Sequence, residues 1–233
     1  MTEHIRENIS VIREKMRAAA LKAGRDEKDI ILVGASKMND SAACRAAIDA
    51  GIDALGENRV QEMTQKLGEG AYEGAPLHFI GHLQRNKVRQ VVGKVALIHS
   101  VGSLALLEEI DKQAQKLGIT QDVLLEVNIG GEEAKSGFAP EELFAAAQLA
   151  KTMPHIRLRG IMTIPPADAP REENMVYFRK VQALYVDING KVYDNKMEYI
   201  SMGMSGDFED AIRAGSNMVR VGTAIFGQRY YTK

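Results

Sequence analysis

The sequence predicts an α/β protein of one domain, a single (β/α)8 TIM barrel with an extra N-terminal helix, and three observations point to it. Short apolar runs suited to strands buried on both faces recur along the chain, each is followed by a stretch with helical spacing, and the alternation is completed eight times within 233 residues. An open doubly wound sheet is the alternative fold for the same alternation.

The elements follow in order. Ile5, Ile9, Ile12, Met16 and Ala20 recur at helical spacing, and Gly24 stands where that leading helix would stop. The run from Ile30 to Ser36 is the first strand, and further strands are expected at 53–57, 77–81, 96–101, 122–128, 157–163, 198–202 and 218–222. Helices are expected between them at 40–50, 57–67, 84–93, 103–117, 140–152, 171–187 and 206–214, with Gly51, Gly68, Gly118, Pro154 and Gly215 near their ends.

Composition narrows the function classes. Hydrophobic residues make up 45% and charged residues 26% with no compositional break, so residues 1–233 are read as one domain with a sizeable core. A net charge of −1 with the signs mixed argues against a nucleic-acid or anionic-membrane partner and favours a small molecule. Cys44 is the only cysteine, which excludes an internal disulfide and a multi-cysteine metal site. The charged N-terminus and the lack of any run near ~20 apolar residues lead to the expectation of a cytoplasmic protein. No broad apolar patch is evident, so a monomer is expected.

Ligand chemistry in a barrel is built on the loops after the C-terminal strand ends, so polar residues should gather there. Lys37, Asn58, His82, Ser100, Asn128, Thr163, Ser201 and Arg220 lie at or near the ends of the eight strands in turn. Lys37 directly follows an apolar strand, where partial desolvation would lower its pKa and free the amine for Schiff-base chemistry. SMGMSGDF (201–208) and VRVGTAIFG (219–227) look like phosphate-binding turns at the seventh and eighth strands. In the first, Ser205 stands where it could cap the helix at 206–214; in the second, Gly222 would admit the ligand and Thr223 would donate to it. Arg220 alternates with Val219 and Val221 and would face the barrel interior, reaching a ring nitrogen or phosphate, or else an ion pair with Glu57 or Glu126. No grouping has metal-ligand spacing, and there is no nucleophile elbow or Walker-type loop.

Taken together, Ser36-Lys37, GENRVQE (56–62), HFIGHLQRNK (78–87), HSV (99–101), EVN (126–128), KSGF (135–138), LRGIMTIPP (158–166) and the two C-terminal turns resemble the pyridoxal phosphate homeostasis proteins over nearly the whole chain. The resemblance implies a barrel similar to the N-terminal domain of alanine racemase, with pyridoxal 5'-phosphate (PLP) as the cofactor, held as an internal aldimine on Lys37. It also implies that Ser201, Ser205, Gly206, Gly222 and Thr223 surround the phosphate. Asn58 and Met202 would line the cofactor, and Arg220 would lie near the pyridine nitrogen. The chain departs from the family's usual pattern at Met38-Asn39-Asp40, where a threonine-containing stretch with a proline is common.

The function so implied is an intracellular PLP carrier acting in vitamin B6 and amino-acid balance, without catalytic turnover and with PLP-dependent apo-enzymes as recipients. A PLP-dependent amino-acid racemase of low activity is the alternative. Two-base racemisation needs a second proton donor on the opposite face of the ring, supplied in alanine racemase from a second domain and the partner subunit. The sequence stops a few residues past the eighth strand, so that domain is expected to be missing. A cofactor-free Schiff-base aldolase is the third possibility.

Overall fold

The computed structural model describes residues 2–132 and 135–227. Helix α1 (Thr2–Lys22) leads into β1 (Ile31–Ala35), α2 (Ser41–Asp49), β2 (Ala54–Glu57), α3 (Val60–Gly68) and β3 (Leu77–Phe79). A 3₁₀ segment, Arg85–Gln90, precedes β4 (Leu97–Val101), α4 (Leu104–Leu117), β5 (Gln121–Val127), α5 (Leu143–Thr152) and β6 (Ile156–Thr163). Helix α6 (Arg171–Val192), β7 (Tyr199–Ser201), α7 (Phe208–Arg213), β8 (Met218–Val221) and α8 (Thr223–Phe226) complete the order. The eight parallel strands pair in sequence, and β8 returns to β1, so the sheet closes into the expected barrel rather than the open sheet.

Alternation along the strands builds two apolar layers. Val33, Ala54, Leu97, Leu124, Met162 and Met218 form a small cluster inside the barrel. Their neighbours Leu32, Leu55, Ile98, Leu125, Ile161 and Val219 belong to the large layer between barrel and helices. Local chemistry fixes the helix starts: Asp40 accepts from the Ala43 amide at α2, and Ser103 accepts from Leu106 at α4. Helix α1 buries Ile5, Ile9, Ile12 and Met16 and lies over α2, α7 and α8. Asn8 ties it to the end of the chain's last described helix by donating to the Ile225 carbonyl at 2.8 Å.

Several elements differ from the sequence expectation, among them α6, which runs to Val192 rather than 187, and α5, which starts at Leu143 rather than 140. The segment expected as a helix at 84–93 is the 3₁₀ stretch Arg85–Gln90, and its three-residue repeat still buries Val88. The helix expected at 206–214 begins only at Phe208, so Ser205 lies outside it and does not cap it. Helix α8 is additional; at four residues it is too short to show a period. Among the described residues, no helix is long and apolar enough to cross a membrane, and no group of three or more His, Cys, Asp or Glu residues could hold a metal ion.

Candidate functional site

Strand register places the candidate residues. Gly34 pairs with Val221 across β1 and β8, so Lys37, half-buried just past β1, leaves the barrel beside Gly222 and Thr223. The turn after it is tight: Met38 adopts a left-handed φ of 64°, and the Asn39 side chain donates to the Lys37 carbonyl at 3.1 Å.

The two turns after β7 and β8 are joined by one hydroxyl. Ser205 Oγ accepts from the Gly222 amide at 3.2 Å and from the Ala224 amide at 3.3 Å. Gly203 makes this possible, because its φ of 95° suits glycine and a Cβ there would lie 2.6 Å from the Ala211 methyl. Asp207 accepts from the Met204 amide at 2.6 Å and braces the turn, and burial pushes its carboxyl up. No hydrogen bond among the described residues takes up the amides of Ser205, Gly206 and Thr223. Unengaged amides at adjoining turns favour an anion.

Arg220 points into the barrel, as its alternation with Val219 and Val221 requires. It is 4% exposed, donates to Ser201 Oγ at 2.5 Å and to the Thr163 carbonyl at 2.9 Å. Among the described residues no carboxylate lies within ion-pair distance of it, and Glu57 is taken by Lys66. Burial lowers the Arg220 pKa to about 10, against opposing pulls from Glu126 and Asp207. A buried guanidinium without a carboxylate has donor capacity for a ligand. Ser201 in turn lies 3.0 Å from His99 Nδ1, and His99 Nε2 lies 3.0 Å from His78 Nδ1. Of this chain of polar groups, Ser201 and Arg220 were singled out from sequence, whereas His78 and His99 entered only as parts of the HFIGHLQRNK and HSV motifs.

Opposite the phosphate-type turns, Asn58, His82, Glu126, Asn128, Lys135 and Ser136 line a cavity of about 510 Å³. Asn58 Oδ1 is buried there without a hydrogen-bond partner among the described residues. It is held by a close approach, since a Cβ on Gly81 would fall 2.4 Å from the Asn58 carbonyl. Glu126 accepts from Ser136 at 3.0 Å, and burial pushes its carboxyl up. Asn128 is engaged in bracing its own loop through Glu132, and the Ser100 hydroxyl donates to the Gly81 carbonyl at 2.5 Å.

The barrel thus brings Lys37, Asn58, Ser205, Gly206, Arg220, Gly222 and Thr223 to one mouth. Two of the expected residues have other surroundings. The Ser201 hydroxyl is engaged by Arg220 and His99, and Met202 is fully buried in the layer between barrel and helices.

Fold and site define a barrel of the alanine racemase N-terminal domain class, and the model of that family matches residues 2–230. The pyridoxal phosphate homeostasis protein of Aquifex aeolicus (strain VF5) is 42% identical over 225 residues, covering 97% of this chain and 98% of that protein. The chain belongs to the pyridoxal phosphate homeostasis protein family. Among solved structures it is similar to an unknown protein from Bifidobacterium adolescentis, at a TM-score of 0.90 and 38% identity over 97% of this chain and 95% of that one. It is also similar to PipY of Synechococcus elongatus PCC7942 with PLP bound, at a TM-score of 0.84 and 30% identity over 96% of this chain and 100% of that one.

Proposed function

We propose that this chain binds PLP covalently at Lys37 and acts in PLP homeostasis as a carrier. The observation that carries the proposal is the gathering, at one barrel mouth, of a half-buried lysine, a buried arginine with no carboxylate partner among the described residues, and amides at two adjoining turns that no described residue engages. Family membership and the PLP named in the PipY structure support it.

The donor set fits the group. Ser205, Gly206 and Thr223 offer amides, and Ser205 and Thr223 hydroxyls, to a phosphate beside Gly222, whose own amide is held by Ser205; Arg220 offers N–H donors to a ring nitrogen or phosphate oxygen, and Lys37 offers an amine. Bound PLP would supply an aldehyde that attaches reversibly to an amine and a ring that withdraws electrons. Ser201 fixes Arg220 through a hydrogen bond, so the guanidinium is aimed before ligand arrives. Asn58, with a buried acceptor left over, lines the cofactor side of the cavity. The fit rests on the donors' chemistry. The side chain of Met202 has no part in it.

Absorption spectroscopy tests the proposal. Protein loaded with PLP and then freed of unbound cofactor by gel filtration should keep a near-visible aldimine band that borohydride removes, and Lys37→Ala treated in the same way should lack it; an unchanged band in that variant would refute the assignment. The recipients of the cofactor are proposed to be PLP-dependent apo-enzymes in the same compartment, and the chain is proposed to act as a monomer.

A further inference from the structure

A buried charge cluster lies directly behind Lys37, and none of the ligand-facing roles above uses it. Lys66, on α3, is 6% exposed at its side chain and pairs with Glu57, which is fully buried at the end of β2. Its ammonium makes three hydrogen bonds: to Glu57 Oε1 at 2.8 Å, to Glu62 Oε1 at 2.7 Å and to the Ser36 carbonyl at 2.9 Å. Glu57 Oε1 also accepts from the Ser36 hydroxyl at 2.7 Å and from Tyr72 at 3.0 Å. Glu62 Oε1 accepts from the Met38 amide at 2.5 Å.

Every one of these contacts that reaches the first loop lands on a neighbour of Lys37. Ser36 is held at its carbonyl by Lys66 and at its hydroxyl by Glu57; Met38 is held at its amide by Glu62 in a left-handed conformation. The residue between them has its own carbonyl fixed by Asn39. A buried ion pair is weak evidence of stabilisation, because desolvation offsets much of the attraction. Holding a functional side chain on a locked backbone is a different use for it.

We propose that Glu57, Lys66 and Glu62 form a clamp on the backbone either side of Lys37, and that they are positioning residues for covalent capture of PLP. The inference rests on the reading of Lys37 as the attachment point. The clamp acts on capture through Lys37 and not on the phosphate turns, which lie on β7 and β8 and are held by Ser205 and Asp207.

The test separates these halves with two ligands. PLP carries an aldehyde; pyridoxine 5'-phosphate has the same ring and phosphate but an alcohol in its place, which does not condense with an amine. The triple variant Glu57→Leu/Lys66→Met/Tyr72→Phe removes the buried Glu57–Lys66 pair and the Tyr72 hydroxyl together, leaving Glu62 at 20% exposure and the Ser36 hydroxyl with the Gly56 carbonyl as acceptor; replacing both members of a buried pair is the change such pairs tolerate best. It should bind PLP at least tenfold more weakly and capture it at least tenfold more slowly, while its affinity for pyridoxine 5'-phosphate stays within twofold of the unmodified chain. Tyr72→Phe alone leaves Ser36 and Met38 gripped and should match the unmodified chain with both ligands. Equal losses for both ligands, or no loss for either, would overturn the clamp. Should the triple variant not fold, Glu62→Gln, whose side chain is 20% exposed, is read in the same way through its weakened hold on Met38. A chain that binds both ligands alike, with no borohydride-stable adduct at Lys37, would instead overturn the functional reading itself.

Discussion

Arg220 donates to Ser201 Oγ at 2.5 Å inside the barrel, and Ser201 links it to a pair of buried histidines, His99 and His78. A guanidinium only donates, and a serine hydroxyl has one proton. With its proton turned to His99 Nδ1, 3.0 Å away, Ser201 sets His99 to donate from Nε2 to His78 Nδ1; with that proton turned elsewhere, both bonds run the other way. Two neutral imidazoles satisfy the chain in either direction. Burial agrees, lowering the His78 pKa to about 4 and that of His99 well below its usual value.

The two histidines make stability fall with acidification. An unfolded histidine takes a proton near pH 6.5, whereas these bind none until much lower pH, so the unfolded state holds more protons across that interval. Their contribution is fully present above pH ~6.5 and is lost as pH falls toward 4, with a slope approaching ~1.4 kcal/mol per pH unit for each histidine. Glu126 and Asp207, raised by burial, act with the opposite sign, gaining stability as they protonate. Urea denaturation at pH 7.5, 6.5 and 5.5 should therefore show a shallower acid loss in His78→Leu than in the unmodified chain. Equal slopes would contradict neutral histidines.

Ser205 joins the turns after β7 and β8, and its loss should be felt by the phosphate alone. Ser205→Ala removes the acceptor for the Gly222 and Ala224 amides and a hydroxyl at the anion site, each a bond of ~0.5–1.5 kcal/mol. PLP affinity should drop about tenfold. Pyridoxal, which lacks the phosphate, should bind the variant as it binds the unmodified chain. Isothermal titration with both ligands checks the difference.

Met38 has a left-handed φ of 64°. Glycine takes that conformation without the steric cost of a Cβ, though it gives up more chain entropy on folding. Met38→Gly should raise stability by ~0.5–1 kcal/mol in urea denaturation, and Met38→Val should lower it. The Glu62 bond to the residue 38 amide survives either change.

Most of the barrel was legible because strand burial leaves an apolar run and each crossover leaves a helical period. Arg220 was legible for the same reason: Val219 and Val221 face the helices, so the residue between them faces inward. The same alternation flags His78 between Leu77 and Phe79, and His99 after Ile98, yet a lone histidine in an apolar strand does not show that a second one meets it across 21 residues. Lys66 sits at the spacing of the buried residues Val60 and Met63, which was the signal for an inward lysine. Its pairing with Glu57 depends on how α3 folds back on β2, which no local pattern encodes. The expected cap at Ser205 failed because the turn after β7 uses that hydroxyl to hold the next strand's loop.

The racemase alternative differs from the carrier in what it does to a substrate α-hydrogen. With PLP and L-alanine in deuterated solvent, the carrier account predicts no exchange above that of PLP with free lysine. Exchange at catalytic rates that disappears in Lys37→Ala would favour the racemase.

Attachment of PLP at Lys37 underlies the proposed carrier role, and mass spectrometry of peptides from borohydride-reduced protein locates the attachment point. One PLP-derived mass addition is expected, on the peptide containing Lys37. Modification spread over other lysines, with the Lys37 peptide unchanged, would rule the attachment out.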